Sequence, residues 1–571
     1  MRYDIGKGEA MTNAAGGYDP DWFAAARAAT ERLVRIRSVS PGDGENAVAH
    51  EVLRLLTEDG LDGAYTALGL EPIAGDPHAR HNAYAFLRGR SPRTVVLLGH
   101  IDTVGMEDYG ALEPYATEPA ELAARVEQLV ALAPEMQRDL DADPGDWAFG
   151  RGIVDMKSGV GANIAVLRRF ARAARDGNPP PLSLLLLATP DEENESAGVL
   201  DAVRLLLRQR DERGLEYVGA INTDYTTAVY AGDPHWHVYS GTIGKLLPSY
   251  FVAGKESHVG DPFDGCDANL LAAALIEDLS MSTDLCDVVR GQIAPPPVTL
   301  HAADLKDTYN VQLPFAAAFY LNVLTLTTGP AELLDELVAR AATVLAKTLA
   351  RIDEAERGWL WQAGAYERSE QVQARHGNVL TYDELLAETT ERLGEQAVAA
   401  ALHDEWERWP ASLDKRERCL HLVHRLWRIS GRQGPEVVLY YSPPYYPSIA
   451  ATPCALHEAV AEVIAAHPDL RLTLDEFFPF LSDMSYLRLD PDLDVTALAE
   501  NMPVWRDPGT TQPGAYSLPL DEIRALDLPV VDLGPYGKGA HQRGERLLLS
   551  RSYGWLPRLV YEVIERLGTR P

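Results

Sequence analysis

The sequence has few cysteines, and their spacing excludes two common uses of that residue. They lie far apart and form no CxxC pair, which argues against a disulfide framework and against a thiolate zinc site. Such usage is typical of proteins in a reducing compartment, so we expect a cytoplasmic location. The four positions are Cys266, Cys286, Cys419 and Cys454.

Long apolar runs are also missing. No stretch approaches 18 consecutive apolar residues, so the sequence predicts no transmembrane helix. The first 17 residues are polar and glycine-rich, without the apolar core of a signal peptide. We expect residues 1–17 to form a disordered leader and the folded protein to begin at Tyr18.

Positive charge is scarce as well. Asp and Glu number 84 against 52 Lys and Arg, which gives a net charge of −32 with His neutral. This balance argues against binding nucleic acid or an anionic membrane through long-range attraction. An acidic surface attracts metal ions or basic substrates, but acidity that only keeps a large protein soluble explains the composition equally well. The 571 residues, 46% of them hydrophobic, can form several domain-sized units.

The most informative stretch is residues 183–198, SLLLLATPDEENESAG. Its apolar run, Leu184 to Ala188, predicts a strand buried on both faces. Asp191, Glu192 and Glu193 follow at the carboxyl end, where open α/β sheets bind ligands. Neighbours in an extended segment point to opposite sides, so Glu192 and Glu193 can serve different roles. A solvated acidic loop has the same composition, so this stretch alone does not decide between the two.

Four further stretches place imidazole or carboxylate groups after β-type runs. One such stretch carries little weight, but an ordered set embedded in small residues is rarely produced by chance. Neutral imidazoles and carboxylates suit Zn²⁺, Mn²⁺ or Co²⁺, and there are enough of them for two ions if one carboxylate bridges. The residues are His100 and Asp102 in GHIDTV, Asp155 in GIVDMKSG, Asp224 in INTD, and His541 in GAHQRGE.

Periodicity predicts an α/β protein with an interrupted first domain. We expect that domain to comprise residues 18–236 and 446–571. Residues 237–350 and 436–445 give the βαββαβ order of a ferredoxin-like domain, beginning with one long strand over 238–253. Residues 351–435 predict a helical insertion, where His421 and His424 lie on one helix face without a carboxylate or Cys at ligand spacing. We expect these two to be packing or surface residues.

Together, the GHIDTV and GxxDMKSG motifs, the paired Glu, the following Asp and the late His with Glu four positions on resemble the dinuclear zinc exopeptidase and amidohydrolase family. Aminoacylase, peptidase T and succinyl-diaminopimelate desuccinylase belong to it. The length, the insertion and the FFPFLSDMSY segment look most like its arginine-utilisation (RocB-like) branch. The resemblance implies an αβα catalytic domain with a central mixed sheet, and makes the ferredoxin-like domain its lid.

The resemblance also implies an activity. The protein would cleave an amide or peptide bond of a small N-acyl amino acid or peptide-like substrate with two divalent metal ions, Zn first and Mn or Co as alternatives. Asp155 would bridge the metals and precede a cis peptide, Asp102 would orient a metal-binding imidazole, and Glu192 would be the general base. The remaining ligands would be His100 with Asp224 at one metal, and Glu193 with His541 at the other.

In the second domain, the resemblance implies two more active-site residues. His258, in SHVGDPFDG, would stabilise the oxyanion, often across a homodimer interface, and Asn310, in TYNVQLP, would reach the active site. The alternative for His258 is that it caps or packs against the helix beginning at Ala268.

The sequence also departs from the family pattern. Asn322 stands where the family commonly has an Arg for the substrate carboxylate, and LSDMSY replaces a Gly-Gly-Thr-Asp loop. The substrate therefore cannot be carried over from the family. Two other functions stay open: a catalytically inactive binding or regulatory member of the fold, and an enzyme acting on a non-amide bond. Ser482, Asp483 and Tyr486 of LSDMSY either line the pocket or form a capped helix start, and the sequence favours neither alternative.

Overall fold

The structure is a computed structural model that describes residues 17–507 and 512–570. The predicted leader, residues 1–17, lies outside the described residues except for Gly17. Short 3₁₀ turns and one π-helical turn, Ser550–Trp555, connect the regular elements. The described strands are β1 Ala67–Pro72, β2 His81–Leu87, β3 Arg93–His100, β4 Trp147–Phe149, β5 Ser183–Thr189, β6 Glu216–Asn222, β7 Trp236–Thr242, β8 Gly244–Ala253, β9 Val288–Val289, β10 Gln292–Ile293, β11 Val298–Asp304, β12 Ala316–Thr325, β13 Asn378–Thr381, β14 Glu436–Tyr446, β15 Leu472–Phe478, β16 Val530–Asp532, β17 Gly537–Lys538 and β18 Arg546–Leu548.

Helices follow half of the described strands. None of the described helices combines the length and apolar character needed to span a membrane. They are α1 Pro20–Val34, α2 Gly44–Thr57, α3 Pro119–Ala124, α4 Val126–Leu132, α5 Met136–Ala142, α6 Lys157–Arg175, α7 Ala197–Arg213, α8 Ala268–Leu279, α9 Pro330–Gln362, α10 Tyr366–Glu370, α11 Tyr382–Leu393, α12 Glu395–Arg408, α13 Lys415–Ser430, α14 Ala455–Ala466, α15 Thr496–Glu500, α16 Leu520–Leu526 and α17 Leu556–Gly568.

The chain forms two compact units. The first comprises the chain up to Thr242, Ile449–Leu489 and the chain from Pro519, and the second comprises Ile243–Ser448 and Asp490–Leu518. The predicted boundaries lie a few residues away, and the prediction assigned 490–518 to the first domain. In the structure this segment joins the second unit by backbone pairing, because the Tyr441 amide donates to the Asn501 carbonyl at 2.7 Å.

An eight-stranded mixed sheet forms the centre of the first unit, as predicted. Its order is β1-β2-β5-β3-β6-β16-β7-β15, and β5, β3 and β6 run parallel at its middle. All seven residues of β5 are buried. Leu184 and Leu186 pack into a core with helices α1, α2, α6, α14 and α17, while Leu185 and Leu187 are equally buried on the opposite face, where α7 packs against β5. The sheet is therefore covered on both sides, as an αβα fold requires.

The small residues of α6 let this helix lie close to its neighbours. A Cβ atom on Gly159 would fall 1.9 Å from the carbonyl oxygen of Thr223, and one on Gly161 would fall 2.3 Å from the Thr30 hydroxyl. Only glycine permits such approaches. Helix α6 begins two residues after Asp155, so this packing fixes the loop that presents Asp155 beside the end of β6.

The second unit has the predicted ferredoxin-like order of strands and helices: β8, α8, β11, β12, α9 and β14. Its sheet has the order β11-β12-β8-β14-β13. Two details differ from the prediction. Residues 236–253 form two strands in different sheets, and the insertion predicted as helical contains β13, which pairs in parallel with β14. Only Ile243 separates β7 from β8, which hides the first change, and β13 is too short for its periodicity to be recognised.

His421 and His424 of the insertion are packing residues, one of the two outcomes expected for them. His421 stacks on Trp409 with ring centroids 4.1 Å apart, and His424 stacks on Phe251 at 5.4 Å.

Candidate metal centre

The carboxyl ends of three adjacent parallel strands carry most of the predicted site residues. His100 is the last residue of β3, Glu192 and Glu193 follow β5, and Asp224 follows β6. Parallel strands end at the same edge of a sheet, so their loops converge there. Two other loops of the first unit supply Asp155, just before α6, and His541, just after β17.

Two groups of side chains meet at Asp155. Its Oδ1 lies 3.0 Å from Nε2 of His100, and its Oδ2 lies 3.0 Å from Nε2 of His541. A carboxylate oxygen of Glu193 lies 3.1 Å from the same His541 nitrogen. The ligand atoms of His100, Asp155 and Asp224 all lie within 4.8 Å of one another, as do those of Asp155, Glu193 and His541. The peptide between Asp155 and Met156 is cis, as the resemblance implied.

The donor atoms fit two divalent cations that share Asp155. Imidazole nitrogens and carboxylate oxygens are the ligands that Zn²⁺, Mn²⁺ and Co²⁺ accept. The carboxylates are also crowded: burial, with the charge of Asp155 next, raises the pKa of Asp224 to about 8, and burial, with the charge of Asp155 next, also raises that of Glu193. Buried like charges at this density need compensating positive charge. Cations at the two groups would supply it.

Among the side chains that contact Asp155, the imidazoles of His100 and His541 are the groups that can carry positive charge. Burial would lower the pKa of His541, but hydrogen bonds with Asp155 and Glu193 raise it to about 11. For Asp155, burial would raise the pKa, but hydrogen bonds with His100 and His541 hold it below its usual value. Each imidazole thus compensates carboxylate charge that a bound cation would otherwise compensate.

Asp102 lies behind His100 and is fully buried. One of its oxygens is 3.4 Å from Nδ1 of His100, and the other accepts a hydrogen bond from the backbone N–H of Glu193 at 3.0 Å. A carboxylate behind a metal-binding imidazole orients the ring and fixes its tautomer. Asp102 also connects the β3 loop to the β5 loop.

Glu192 faces the same centre but belongs to neither group of ligand atoms among the described residues. Its carboxylate lies 3.9 Å from Nε2 of His100, and the residue is only 9% exposed. Burial raises its pKa well above the usual value, although the charge of His100 opposes this. The adjacent residues Glu192 and Glu193 thus occupy different places, as the alternation predicted.

Two buried residues that the sequence analysis did not assign hold the Asp155 loop. The carboxylate of Glu545 accepts from the backbone N–H of Val154 at 3.0 Å and from Nη1 of Arg151 at 2.9 Å. Glu545 is the residue four positions after His541, so the motif contained a signal for it. Arg151 is separated from Glu545 by 394 positions, and no local pattern could pair them.

The LSDMSY segment forms a capped turn, one of its two predicted alternatives, while a pocket-lining role stays a prediction. Ser482 accepts from the Met484 N–H at 3.4 Å and from Asn222 Nδ2 at 2.9 Å, so it caps the turn Asp483–Tyr486. Asp483 is buried and accepts from the Thr189 hydroxyl at 2.8 Å, at the end of β5. Burial raises the pKa of Asp483 to about 7.

His258 and Asn310 belong to the second unit and lie on two paired loops. A backbone bridge joins His258 to Gln312, and the Asn310 side chain accepts from the Gln312 N–H at 3.2 Å. His258 is exposed, and Asp267 caps α8 by accepting from the Asn269 N–H. Asp267, and not His258, therefore caps α8. His258 belongs to no group of possible metal ligands in the described part of the chain.

Comparisons with known proteins agree on one family. The model of peptidase family M20/M25/M40 matches residues 96–496. The uncharacterized protein YqjN of Bacillus subtilis is 34% identical over 542 residues, covering 94% of this chain and 95% of YqjN. Protein RocB of Bacillus subtilis is 30% identical over 557 residues, covering 95% of this chain and 94% of RocB.

One solved structure supports the fold. The M20 family metallo-carboxypeptidase Sso-CP2 from Sulfolobus solfataricus aligns with a TM-score of 0.51 at 10% identity, covering 95% of this chain and 99% of that one. The chain is an enzyme of the peptidase and amidohydrolase class and belongs to peptidase family M20/M25/M40, in the branch that includes RocB and YqjN.

Proposed function

We propose that the protein hydrolyses an amide or peptide bond of a small N-acyl amino acid or peptide-like substrate. The observation that carries this proposal is the arrangement around Asp155, where two groups of ligand atoms share one carboxylate and Glu192 stands beside them outside both. A structural acidic cluster has no need of a shared carboxylate between two imidazoles.

The residues for holding the cations divide into two sets. His100 and Asp224 with Asp155 form one, and Glu193 and His541 with Asp155 form the other. Zn²⁺ is our first choice, with Mn²⁺ or Co²⁺ as alternatives. Two such ions, held by these residues, would polarise a scissile carbonyl and lower the pKa of a water molecule.

Glu192 is the general base of this proposal. Its carboxylate takes a proton from the attacking water and then gives it to the leaving nitrogen. Burial favours the protonated carboxyl, so Glu192 can hold the proton between the two transfers. Asp102 keeps the His100 ring in place while this occurs, through the contact at Nδ1.

His258 and Asn310 complete the proposal from the second unit. The backbone N–H of Gly260 donates to Nδ1 of His258 at 3.0 Å, so the neutral imidazole carries its proton on Nε2. That Nε2–H makes no hydrogen bond with any described residue and is available to a developing oxyanion. Asn310 is a second polar contact to the substrate in this proposal. We also propose that the enzyme works as a cytoplasmic homodimer. No nucleic acid or membrane partner is part of the proposal.

The experiment that tests this proposal compares wild type with Glu192→Gln. Both are reconstituted with Zn²⁺, Mn²⁺ or Co²⁺ and assayed for amine release from N-acylated basic amino acids, other N-acyl amino acids and dipeptides, with esters as a separate arm. The glutamine keeps the shape but cannot accept the proton, so turnover should fall about 10²–10⁴-fold with both metals retained.

Glu193→Gln is the matched control for that experiment. It changes the neighbouring glutamate in the same way, yet it should weaken one metal site first. Near-wild-type turnover in metal-loaded Glu192→Gln would show that the base is assigned wrongly. Cleavage of esters alone would show that the bond type is wrong, and a metal-loaded wild type without turnover would favour a binding protein.

A further inference from the structure

The first of the three consecutive carboxylates, Asp191, belongs to neither ligand group among the described residues. It is 1% exposed and has a φ of +75°, a left-handed backbone that non-glycine residues rarely adopt. Its carboxylate accepts hydrogen bonds from Arg80, from the Ser40 hydroxyl at 3.1 Å and from the Ala197 N–H at 3.0 Å. Its own N–H donates to Glu45 at 2.9 Å. The residue is held at every polar atom of its side chain and at its amide.

Arg80 is the centre of this buried cluster and is 3% exposed. Its Nη1 contacts Asp191 and lies 3.3 Å from Glu45, while its Nε and Nη2 contact Asp76 at 3.1 and 2.7 Å. Because the planar guanidinium of Arg80 contacts three carboxylates in different directions, its orientation is fixed. Removing one partner from such a buried cluster leaves the others uncompensated.

The cluster controls the turn that carries Glu192 and Glu193. The carbonyl oxygen of Asp191 accepts from the Glu195 N–H at 3.2 Å and from the Ser196 N–H at 2.7 Å, so the turn closes on Asp191 itself. At its far end, the Ala197 N–H at the start of α7 donates to the Asp191 carboxylate. Both ends of the turn are therefore tied to one residue. A left-handed backbone at such a place persists only where the surroundings fix it.

We propose that Asp191, held by Arg80, is a positioning residue that fixes both glutamates of the turn. This inference rests on the proposed function. Glu193 supplies one of the two metal sites, whereas His100 and Asp224 of the other site come from different strands. Asp155, which both sites share, is held by Glu545 instead. Loosening the turn should therefore affect one metal site and the base, and spare the other site.

Asp191→Asn tests this directly. Asparagine keeps the size and tolerates a left-handed backbone, but it removes the charge that pairs with Arg80. We expect kcat to fall about 10–100-fold with KM little changed, since small misplacements of catalytic groups cost about 10². In a chelator-competition titration with Zn²⁺, one of the two equivalents should bind at least about tenfold more weakly, and the other should be unchanged. Arg80→Lys should retain more of both properties than Arg80→Gln.

Asp353→Asn is the matched control. Asp353 is 3% exposed and is held by Arg375, in the second unit and outside both ligand groups. Its loss should lower thermal stability while leaving kcat and both metal equivalents unchanged. Ser40→Ala serves if Asp191→Asn does not fold. It removes a hydroxyl that contacts the carboxylates of Asp191 and Glu45, and it should change kcat and one metal equivalent in the same direction, by less.

Three outcomes would overturn the positioning role. They are wild-type kcat and metal binding in Asp191→Asn, equal weakening of both equivalents, and the same pattern in Asp353→Asn. A failure of the proposed function itself is recognised separately, because wild type would then bind no metal or show no turnover before any variant is compared.

Discussion

At the residue scale, neighbouring side chains of the same type occupy different places. Glu193 lies 3.1 Å from His541 and completes a ligand group, while Glu192 lies outside both groups and 3.9 Å from His100. Alternation along an extended segment predicts this division from sequence. The contact of Asp191 with Arg80 could not be predicted, because the two residues are 111 positions apart and nothing in the local sequence marks the pair.

His258 gives the sharpest prediction at a single residue. His258→Ala should fold normally and keep its metals, and turnover should fall about 10²–10³-fold, the usual effect of losing one oxyanion donor. His301→Ala is the control, because His301 is an exposed histidine of the same unit on β11. Steady-state kinetics and metal analysis on the three proteins make the comparison. Unchanged turnover in His258→Ala rejects the role.

Mixing His258→Ala with Glu192→Gln tests a site shared between subunits. If each site takes His258 from one subunit and Glu192 from the other, hybrid dimers contain one intact site, and part of the activity should return. Without recovery, a shared site is rejected, while the role of His258 within its own chain stands or falls with the single variant.

At the element scale, the candidate site residues that could be predicted from the sequence lie at the ends of strands. Apolar runs followed by His100 and by Glu192–Glu193 indicated both the sheet and its functional edge. The contacts behind that edge were not predictable: the His541 motif marks Glu545, but no local pattern pairs it with the Asp155 loop 391 positions earlier. Local periodicity detects elements, but it contains no information on which distant side chain satisfies a loop's backbone N–H groups.

The edge pair β7 and β15 contains a titratable link. His237 of β7 lies between two carboxylates, with Nδ1 2.7 Å from Asp475 and Nε2 2.7 Å from Asp233. The Thr473 hydroxyl and His235 also face this cluster. Burial alone would lower the pKa of His237, but hydrogen bonds with the two carboxylates raise it above its usual value.

That raised pKa fixes the direction of a pH effect. The stabilisation is complete below the pKa of an unfolded histidine, about 6.5, and is lost as the pH rises through the raised folded-state value. His237→Gln should therefore lower the free energy of unfolding by about 1–3 kcal/mol at pH 6, and by less at alkaline pH. Urea unfolding of chelator-treated protein from pH 6 to 9 measures this, with His50→Gln as an exposed control. A difference independent of pH would contradict the protonated link.

At the scale of the whole molecule, the two-unit organisation was predictable from the order of elements, and its boundaries were not. The change of sheet falls at Ile243, the single residue between β7 and β8, and 490–518 returns to the second unit through backbone pairing near Asn501. Such pairing depends on tertiary contacts and not on propensity. Composition was informative in one direction only: a net charge of −32 argued against polyanionic partners, but it did not identify the cations that the site would bind.

The central claim is that two divalent ions share Asp155, and metal stoichiometry tests it most directly. Wild type, reconstituted with Zn²⁺, Mn²⁺ or Co²⁺ and freed of excess ion, should contain two equivalents per chain by elemental analysis. Asp155→Ala should lose both, because each group of ligand atoms includes Asp155, whereas His541→Ala should lose only one. No more than trace metal in reconstituted wild type would contradict the account, and so would two equivalents in Asp155→Ala.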